Sequence, residues 1–342
     1  MKRVGIIAGG MSSEHEISCI SAGGVLAAID RTRFEPVLIG ISKAGEFLLC
    51  NHDQNLAIVD GVLPEISSGA AIELTAAIKE LGIDVTFPVL HGPYGEDGTI
   101  QGLLEMAQVR YVGNGVLASA VAMDKSFAKS IFAAHGLAVA PGITIHRRDW
   151  KGAVDTAGLS YPLFVKPARG GSSKGTFKVK RPEDLAAAID EALTFDSKVM
   201  VEEGIVGREI ECAVLEVDGV AHASPLGEIK LSPEFEFYDF EAKYLDGSTE
   251  VISPDDLSPE ILEKIQESAI AAFRALGCEG LARADFFYSD DGQVIINELN
   301  TMPGFTPTSV FPKLWARGGR GYSDLITTLI ESALTRSPSV MR

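Results

Sequence analysis

The chain has 342 residues, 46% of them apolar, and a formal net charge of −17. That length is more than one ordinary core holds, so two or three domains are expected. The acidic balance argues against nucleic acid or an anionic membrane as partner, so an anionic small-molecule substrate would need its own cluster of lysine, arginine and metal.

Val4 to Ala8 is an apolar run ending in Gly9-Gly10, the pattern of a buried parallel strand. Ser13 and Glu16 stand at capping-box spacing ahead of a helix-compatible stretch. Glu14 then sits in the first turn, at the C-terminal end of the strand, where open α/β sheets bind ligands; a carboxylate there is equally a plain stabiliser of the helix N-terminus. Phe34 to Ile41 reads as a second strand, Ile72 to Leu81 as a helix and Asp84 to Leu90 as a third strand. The loop His91-Gly92-Pro93-Tyr94-Gly95-Glu96-Asp97-Gly98 follows at once, too rich in turn residues for a generic linker. His91 again falls at a strand end, where a lone histidine is either structural or functional. Alternating strands and helices make residues 1–120 one α/β domain.

Ala118 to His135 reads as one helix carrying Lys125, with Gly136 as its cap. Tyr161 to Pro167 is a strand with Lys166 among apolar neighbours, an expensive position unless the charge is paired. It runs into Ala168 to Thr176, a Gly/Ser loop able to turn backbone N–H groups and lysines toward phosphate oxygens, or else a flexible hairpin tip. The strand Phe177 to Lys180 and the helix Pro182 to Leu193 follow. Lys198 to Glu203 and Glu209 to Val217 are strands flanking a short connector, a weak signal for a flat ring held between small domains. Leu226 to Lys230 reads as a strand. Ser232 to Thr249 lacks clean periodicity and reads as a lid or binding loop. Pro259 to Leu276 and Ser323 to Leu334 read as helices. The cysteines (Cys19, Cys50, Cys212, Cys278) show no metal spacing. Free thiols in a reducing compartment follow. With no run long enough to span a membrane and too short an apolar run after Met1 for a signal peptide, the expected location is cytoplasmic.

Gly280 to Ser309 organises the rest. Arg283 to Tyr288 and Val294 to Asn300 read as two strands joined at Asp290-Asp291-Gly292. Side chains alternate along a strand, so Arg283 and Asp285 share a face, as do Glu298 and Asn300 on the partner. Antiparallel pairing then brings Asp285 beside Glu298. Two carboxylates and an amide are hard oxygen donors suited to Mg²⁺ completed by phosphate oxygens; a solvated acidic hairpin is the plainer alternative.

Together the pieces resemble the ATP-grasp superfamily and, within it, the D-alanine–D-alanine ligase family. The matching motifs are Gly9-Gly10 with Glu14 and Ser18, HGPYGEDGTIQG from His91 to Gly102, and MDK from Met123 to Lys125. VKPARGGSS from Val165 to Ser173, FYDFEAKY from Phe237 to Tyr244, RADF from Arg283 to Phe286 and NELNTMPGFTPTS from Asn297 to Ser309 complete the set, in family order over nearly the whole chain. The resemblance implies a three-domain α/β architecture: a substrate-binding domain at 1–120, a central subdomain at 121–204, and a C-terminal subdomain at 205–342 with hairpin and lid. It implies ATP as co-substrate between the last two, held by Lys125, Lys166 and Lys243 at the phosphates and Ser173 in the loop. Glu202, Glu203 and Ile205 would meet the adenine and Glu209 the ribose. Asp285, Glu298 and Asn300 would bind two Mg²⁺ or Mn²⁺ ions. Glu14 and His91 would hold the first D-alanine, Ser309 and Lys243 the carboxylate of the second, and Tyr244 with Ser172 and Glu14 would pin the lid. Arg283 and the backbone N–H of Gly304 would stabilise an oxyanion. A homodimer is implied as well. Gly170 and Lys174 depart from the family's usual phosphate loop. The rival readings are a D-alanine–D-lactate or D-alanine–D-serine ligase and, further off, a non-catalytic nucleotide-binding regulator.

Overall fold

A computed structural model of the chain describes residues 1–51, 54–156, 158–171, 173–230 and 250–337. Three sheets organise them. The first orders its six strands Ala70–Ala71, Phe47–Leu49, Phe34–Ile41, Lys2–Gly9, Val85–Pro88 and Arg110–Tyr111. The last four run parallel, an arrangement that buries both faces under crossover helices. Val4, Ile6 and Ala8 accordingly enter one apolar cluster and Ile7 another, with Ile39, Leu74, Ile78 and Leu104.

The second sheet is antiparallel, in the order Phe177–Val179, Leu163–Pro167, Lys198–Glu203 and Gly142–His146. Leu163, Val165, Val199 and Val201 point into a cluster backed by the helix Leu185–Phe195. The two-residue period leaves Phe164, Lys166, Met200 and Glu202 on the opposite face. The third sheet orders Glu250–Ile252, Gly227–Lys230, Gly207–Val217, Leu281–Ser289, Val294–Asn300 and Ala138–Val139, with Val220–Ala223 pairing with Gly207–Val217. The helix Pro259–Ala275 covers its back: Ile265, Ala269 and Phe273 pack on Ile210, Ala284 and Phe286.

Two local expectations fail, each for a physical reason. The stretch expected as one helix over 118–135 is two, Val116–Met123 and Lys125–Ala134. Asp124 between them is extended, at φ −90° and ψ 94°, and its carboxylate accepts the N–H of Phe127 at 3.2 Å, a true N-cap. The capping box of Ser13 and Glu16 does not form. The helix starts at His15, Ser12 Oγ accepts the N–H of Glu14 at 3.1 Å, and Glu16 pairs with Lys43 at 2.6 Å instead. The strand Gly142–His146 and the helices Thr99–Met106 and Val310–Arg317 went unread. All three are short, eight residues in each helix and five in the strand, too few for a period to stand out along the chain.

Candidate functional site

The hairpin forms, and a bulge sets its final register: counted from the turn, where Tyr288 meets Val294, plain alternation would put Asp285 opposite Asn297. Asp285 stands opposite Glu298 and Arg283 opposite Asn300, and a register shift follows Asp285, since Phe286 meets Ile296 and Asn297 is skipped. That bulge adds one residue beside the acidic pair. Asn300 Nδ2 lies 2.9 Å from Asp285 Oδ2 and 3.5 Å from Glu298 Oε1, so both carboxylates converge on one point. Cations meet them from either side. Arg283 forks onto Asp285 through Nε and Nη2, each bond 2.7 Å. Lys125 Nζ stands 3.2 Å from Glu298 Oε2 and donates to the carbonyl of Gly170 at 2.7 Å, which ties the Gly/Ser loop to the hairpin.

The cleft face of the second sheet supplies the other half. Glu202 is buried, with Oε1 2.6 Å from Lys129 Nζ and Oε2 2.6 Å from Lys166 Nζ. Burial disfavours its charge, but Lys129 and then Lys166 outweigh that and hold the carboxyl down to about 2. Burial also pushes Lys129 down to about 8, against the pull of Glu202. Lys166 in turn reaches Asn297 Oδ1 at 3.3 Å. The strand-borne lysine is therefore paired, as its apolar neighbours demanded. The chain Lys129–Glu202–Lys166–Asn297 crosses from the helix Lys125–Ala134 through the second sheet to the third.

A second corner forms around Glu14, itself 5% exposed. A Cβ on Gly92, whose φ is +73°, would come within 2.6 Å of Glu14 Oε2, and one on Gly171 within 3.0 Å. The glycines of two separate loops thus leave room for one carboxylate. His91 is buried beside it. Its Nδ1 lies 3.0 Å from the carbonyl of Met302 and its Nε2 3.0 Å from Ser21 Oγ. A carbonyl only accepts, so Nδ1 carries the proton and Nε2 accepts from the serine. Burial lowers the His91 pKa despite Glu14 nearby, so the ring is neutral. Glu96 accepts the N–H of Gly92 at 2.7 Å and that of Met302 at 3.4 Å. Desolvation and then the Glu14 charge raise it to about 7.

Other expected residues fall around these two centres. Ser173 takes a left-handed φ of 57° in the Gly/Ser loop, and Lys174 beside it is exposed. Glu203 accepts the N–H of Ser160 at 2.7 Å and donates its own N–H to Pro141 at 2.9 Å. Ile205 lies in the connector after that strand, and Glu209 pairs with Phe287 and Ile229. Gly304 lies in the turn after the hairpin, half-buried. Ser309 is the N-cap residue of the helix Val310–Arg317, with Oγ 2.8 Å from Thr306 Oγ1. Ser172, Lys243 and Tyr244 lie outside the described residues. Among the described residues no three His, Cys, Asp or Glu side chains gather as a metal cluster; the hairpin set has two carboxylates and an amide.

Lys129, Asn297, Glu96 and Glu211 were not singled out from sequence. Lys129 had a signal, since it stands four residues after Lys125 on one helix face. Glu211 had one too, two residues after Glu209 on a strand. Asn297 had none, because alternation puts it on the opposite face from Glu298 and only the bulge turns it.

Comparison with known proteins gives the family. A family profile described as D-ala D-ala ligase N-terminus matches residues 3–114, and one described as D-ala D-ala ligase C-terminus matches 131–331. The D-alanine–D-alanine ligase of Paenarthrobacter aurescens is 48% identical over 98% of this chain and 95% of its own. Among solved structures, the VanG D-Ala:D-Ser ligase from Enterococcus faecalis superposes with a TM-score of 0.82 at 35% identity, covering 97% of this chain and 99% of that one. The D-alanine–D-alanine ligase from Bacillus anthracis, complexed with ATP, gives 0.76 at 29% identity, covering 98% of each chain. With its acidic hairpin, its lysine-lined cleft and these matches over nearly its full length, the chain belongs to the D-alanine–D-alanine ligase family.

Proposed function

We propose that this chain joins two D-alanines into D-alanyl-D-alanine, a peptidoglycan precursor, by way of an acyl phosphate, releasing ADP and phosphate. The observation that carries the reading is the meeting of Asp285, Glu298, Lys125 and Lys166 in one cleft between the second and third sheets. The first step brings a carboxylate onto a polyphosphate. At about 4 Å and an effective dielectric near 20, each pair of unit charges repels by roughly 4 kcal/mol. Lys125, Lys166, Arg283 and Lys243 are proposed to reverse that sign. Glu14 is proposed to hold the ammonium of the first D-alanine, with neutral His91 beside its carboxylate. The half-buried helix start at Ser309 suits the carboxylate of the second. Arg283 and the Gly304 N–H are proposed to stabilise the oxyanion formed when the second amine attacks. Tyr244, Ser172 and Glu14 are proposed to pin the lid, excluding water from the acyl phosphate. Adenine would meet Glu202, Glu203 and Ile205, the ribose Glu209, and the phosphates Ser173.

The hairpin fits a divalent ion. Asp285 and Glu298 are hard donors converging on one point, and Asn300 already reaches both. Its NH₂ faces them, so coordination would use the other end of the same amide. Asp285, Glu298 and Asn300 would hold two Mg²⁺ or Mn²⁺ ions, whose chemistry is charge neutralisation on the phosphate oxygens. The proposed units are 1–120, 121–204 and 205–342, although the helices of 116–134 pack on the third sheet. Among the described residues no helix is long and apolar enough to cross a membrane; a cytoplasmic homodimer is the proposed form, which sedimentation would test.

D-alanyl-D-serine synthesis is the second reading, favoured by the likeness to the VanG ligase. Phosphate release with ATP, Mg²⁺ and D-alanine alone, then with D-serine or D-lactate added, separates the two. D-alanine alone should suffice, and Glu298→Ala should lose at least about a hundredfold in rate while staying folded. No release with D-alanine in the wild type, or full turnover in Glu298→Ala, would overturn the reading.

A further inference from the structure

Glu211 has no part in the chemistry described so far. It lies on the strand Gly207–Val217, directly opposite Asp285, which is in turn opposite Glu298. Three carboxylates therefore stand in a row across three strands, with Asp285 in the middle. Glu211 is 3% exposed, and its Oε2 is 3.0 Å from Arg283 Nε. The same guanidinium forks onto Asp285 at 2.7 Å on each arm. Ala213 is the residue opposite Arg283 on that strand, a small side chain beside the guanidinium.

This arrangement sets up a competition. Arginine keeps its charge at any working pH, and its fork suits a carboxylate. A divalent ion drawn to Asp285 and Glu298 meets that fork on the same oxygens. Were Asp285 the sole anchor of Arg283, ion and guanidinium would exclude each other, although the reaction needs both. We propose that Glu211 is a positioning residue that keeps Arg283 in the site when Asp285 turns to a divalent ion, so that both cations act together. The inference rests on the metal reading above. A buried carboxylate demands a matching cation, and the Arg283 guanidinium lies 3.0 Å from Glu211.

The test uses the full chain and Mn·ADP, with binding read from the enhancement of water-proton relaxation. Glu211→Gln should weaken Mn·ADP binding about tenfold, because Arg283 then stays on Asp285. In an Arg283→Ala background the competitor is gone, and the same substitution should change binding less than about twofold. Unchanged binding in Glu211→Gln alone would overturn the proposal. So would equal weakening in both backgrounds, which marks Glu211 as a ligand or a through-space charge. Wild-type protein that fails to bind Mn·ADP would instead sink the metal reading itself. Thermal unfolding and metal-free ADP binding serve as fold controls; if Glu211→Gln does not fold, Glu211→Asp takes its place in the same comparison.

Discussion

Both oxygens of Glu202 end on lysines at 2.6 Å in a site closed to solvent. Removing either partner leaves charge there without its match. An unpartnered buried charge costs about 3–5 kcal/mol. In Lys129→Met, Lys166 remains, so a loss of about 2 kcal/mol in urea unfolding and a roughly tenfold weaker affinity for ADP by calorimetry are expected. Glu96 provides a pH test. Its carboxyl lies at about 7 in the folded chain, against 4.5 for an unperturbed group. Between those values the folded state holds a proton that the unfolded state releases. The contribution of Glu96 to stability is therefore full below 4.5 and lost as pH rises through about 7. Glu202 runs the other way: its contribution is full above 4.5 and lost as pH falls toward 2. Glu96→Gln should flatten the fall in Tm between about pH 5 and pH 8, and an unaltered slope would remove that assignment.

Among the elements, the break between helices at Asp124 governs where Lys125, proposed to meet the phosphates, stands. Asp124 caps the helix Lys125–Ala134 and takes Lys198 Nζ at 2.6 Å, while the face of the Phe127 ring covers that ammonium at 4.0 Å. Lys125 then starts a helix whose first N–H donates to Ala168 at 2.9 Å, and its Nζ reaches Gly170 and Glu298. Asp124→Ala should cost about 1 kcal/mol for the cap and about 3 kcal/mol more for the stranded Lys198. Asp124→Asn, which keeps an oxygen for the cap, should recover the first amount and little of the second. Urea unfolding of the two variants separates the contributions. The bulge at Asn297 works in the same way on the hairpin: one extra residue turns an amide toward Lys166.

At the scale of the molecule, the first and third sheets share a core and the second keeps its own. Val4, Ile6 and Ala8 of the first sheet lie in one cluster with Ala213, Leu215, Leu281 and Phe305 of the C-terminal part. Asn114 fastens the same junction, donating to the carbonyls of Leu281 at 2.6 Å and Thr301 at 2.9 Å and accepting from the N–H of Glu279 at 2.9 Å. Among the described residues, the cluster of the second sheet draws on residues between 143 and 201. First and third sheets therefore form a base, and the second holds to it through polar contacts such as Lys166–Asn297. Asn114→Ala should lower stability by about 2–3 kcal/mol, because three buried backbone groups lose their partners. ADP affinity should hold within about twofold, since those contacts lie away from the second sheet; calorimetry beside thermal unfolding checks both.

Local chemistry made much of this legible. Alternation along Arg283 to Asn300 puts Arg283 with Asp285 on one face and Glu298 with Asn300 on one face, but the register counted from the turn would set Asp285 opposite Asn297, and only the bulge sets it opposite Glu298. Gly-rich loops after apolar runs mark the strand ends at Glu14 and His91, as chain direction alone sets where those loops emerge. What local pattern does not carry is the identity of distant partners. Lys129 meets Glu202 across 73 residues, and Lys166 meets Asn297 across 131. Asn297 turns only because a register shift puts it there, and the helix breaks at Asp124 where a distant lysine waits. Those pairings follow from how separately formed sheets come to rest on one another, which is decided by packing and the cost of burying charge, not by the spacing of residues along a strand.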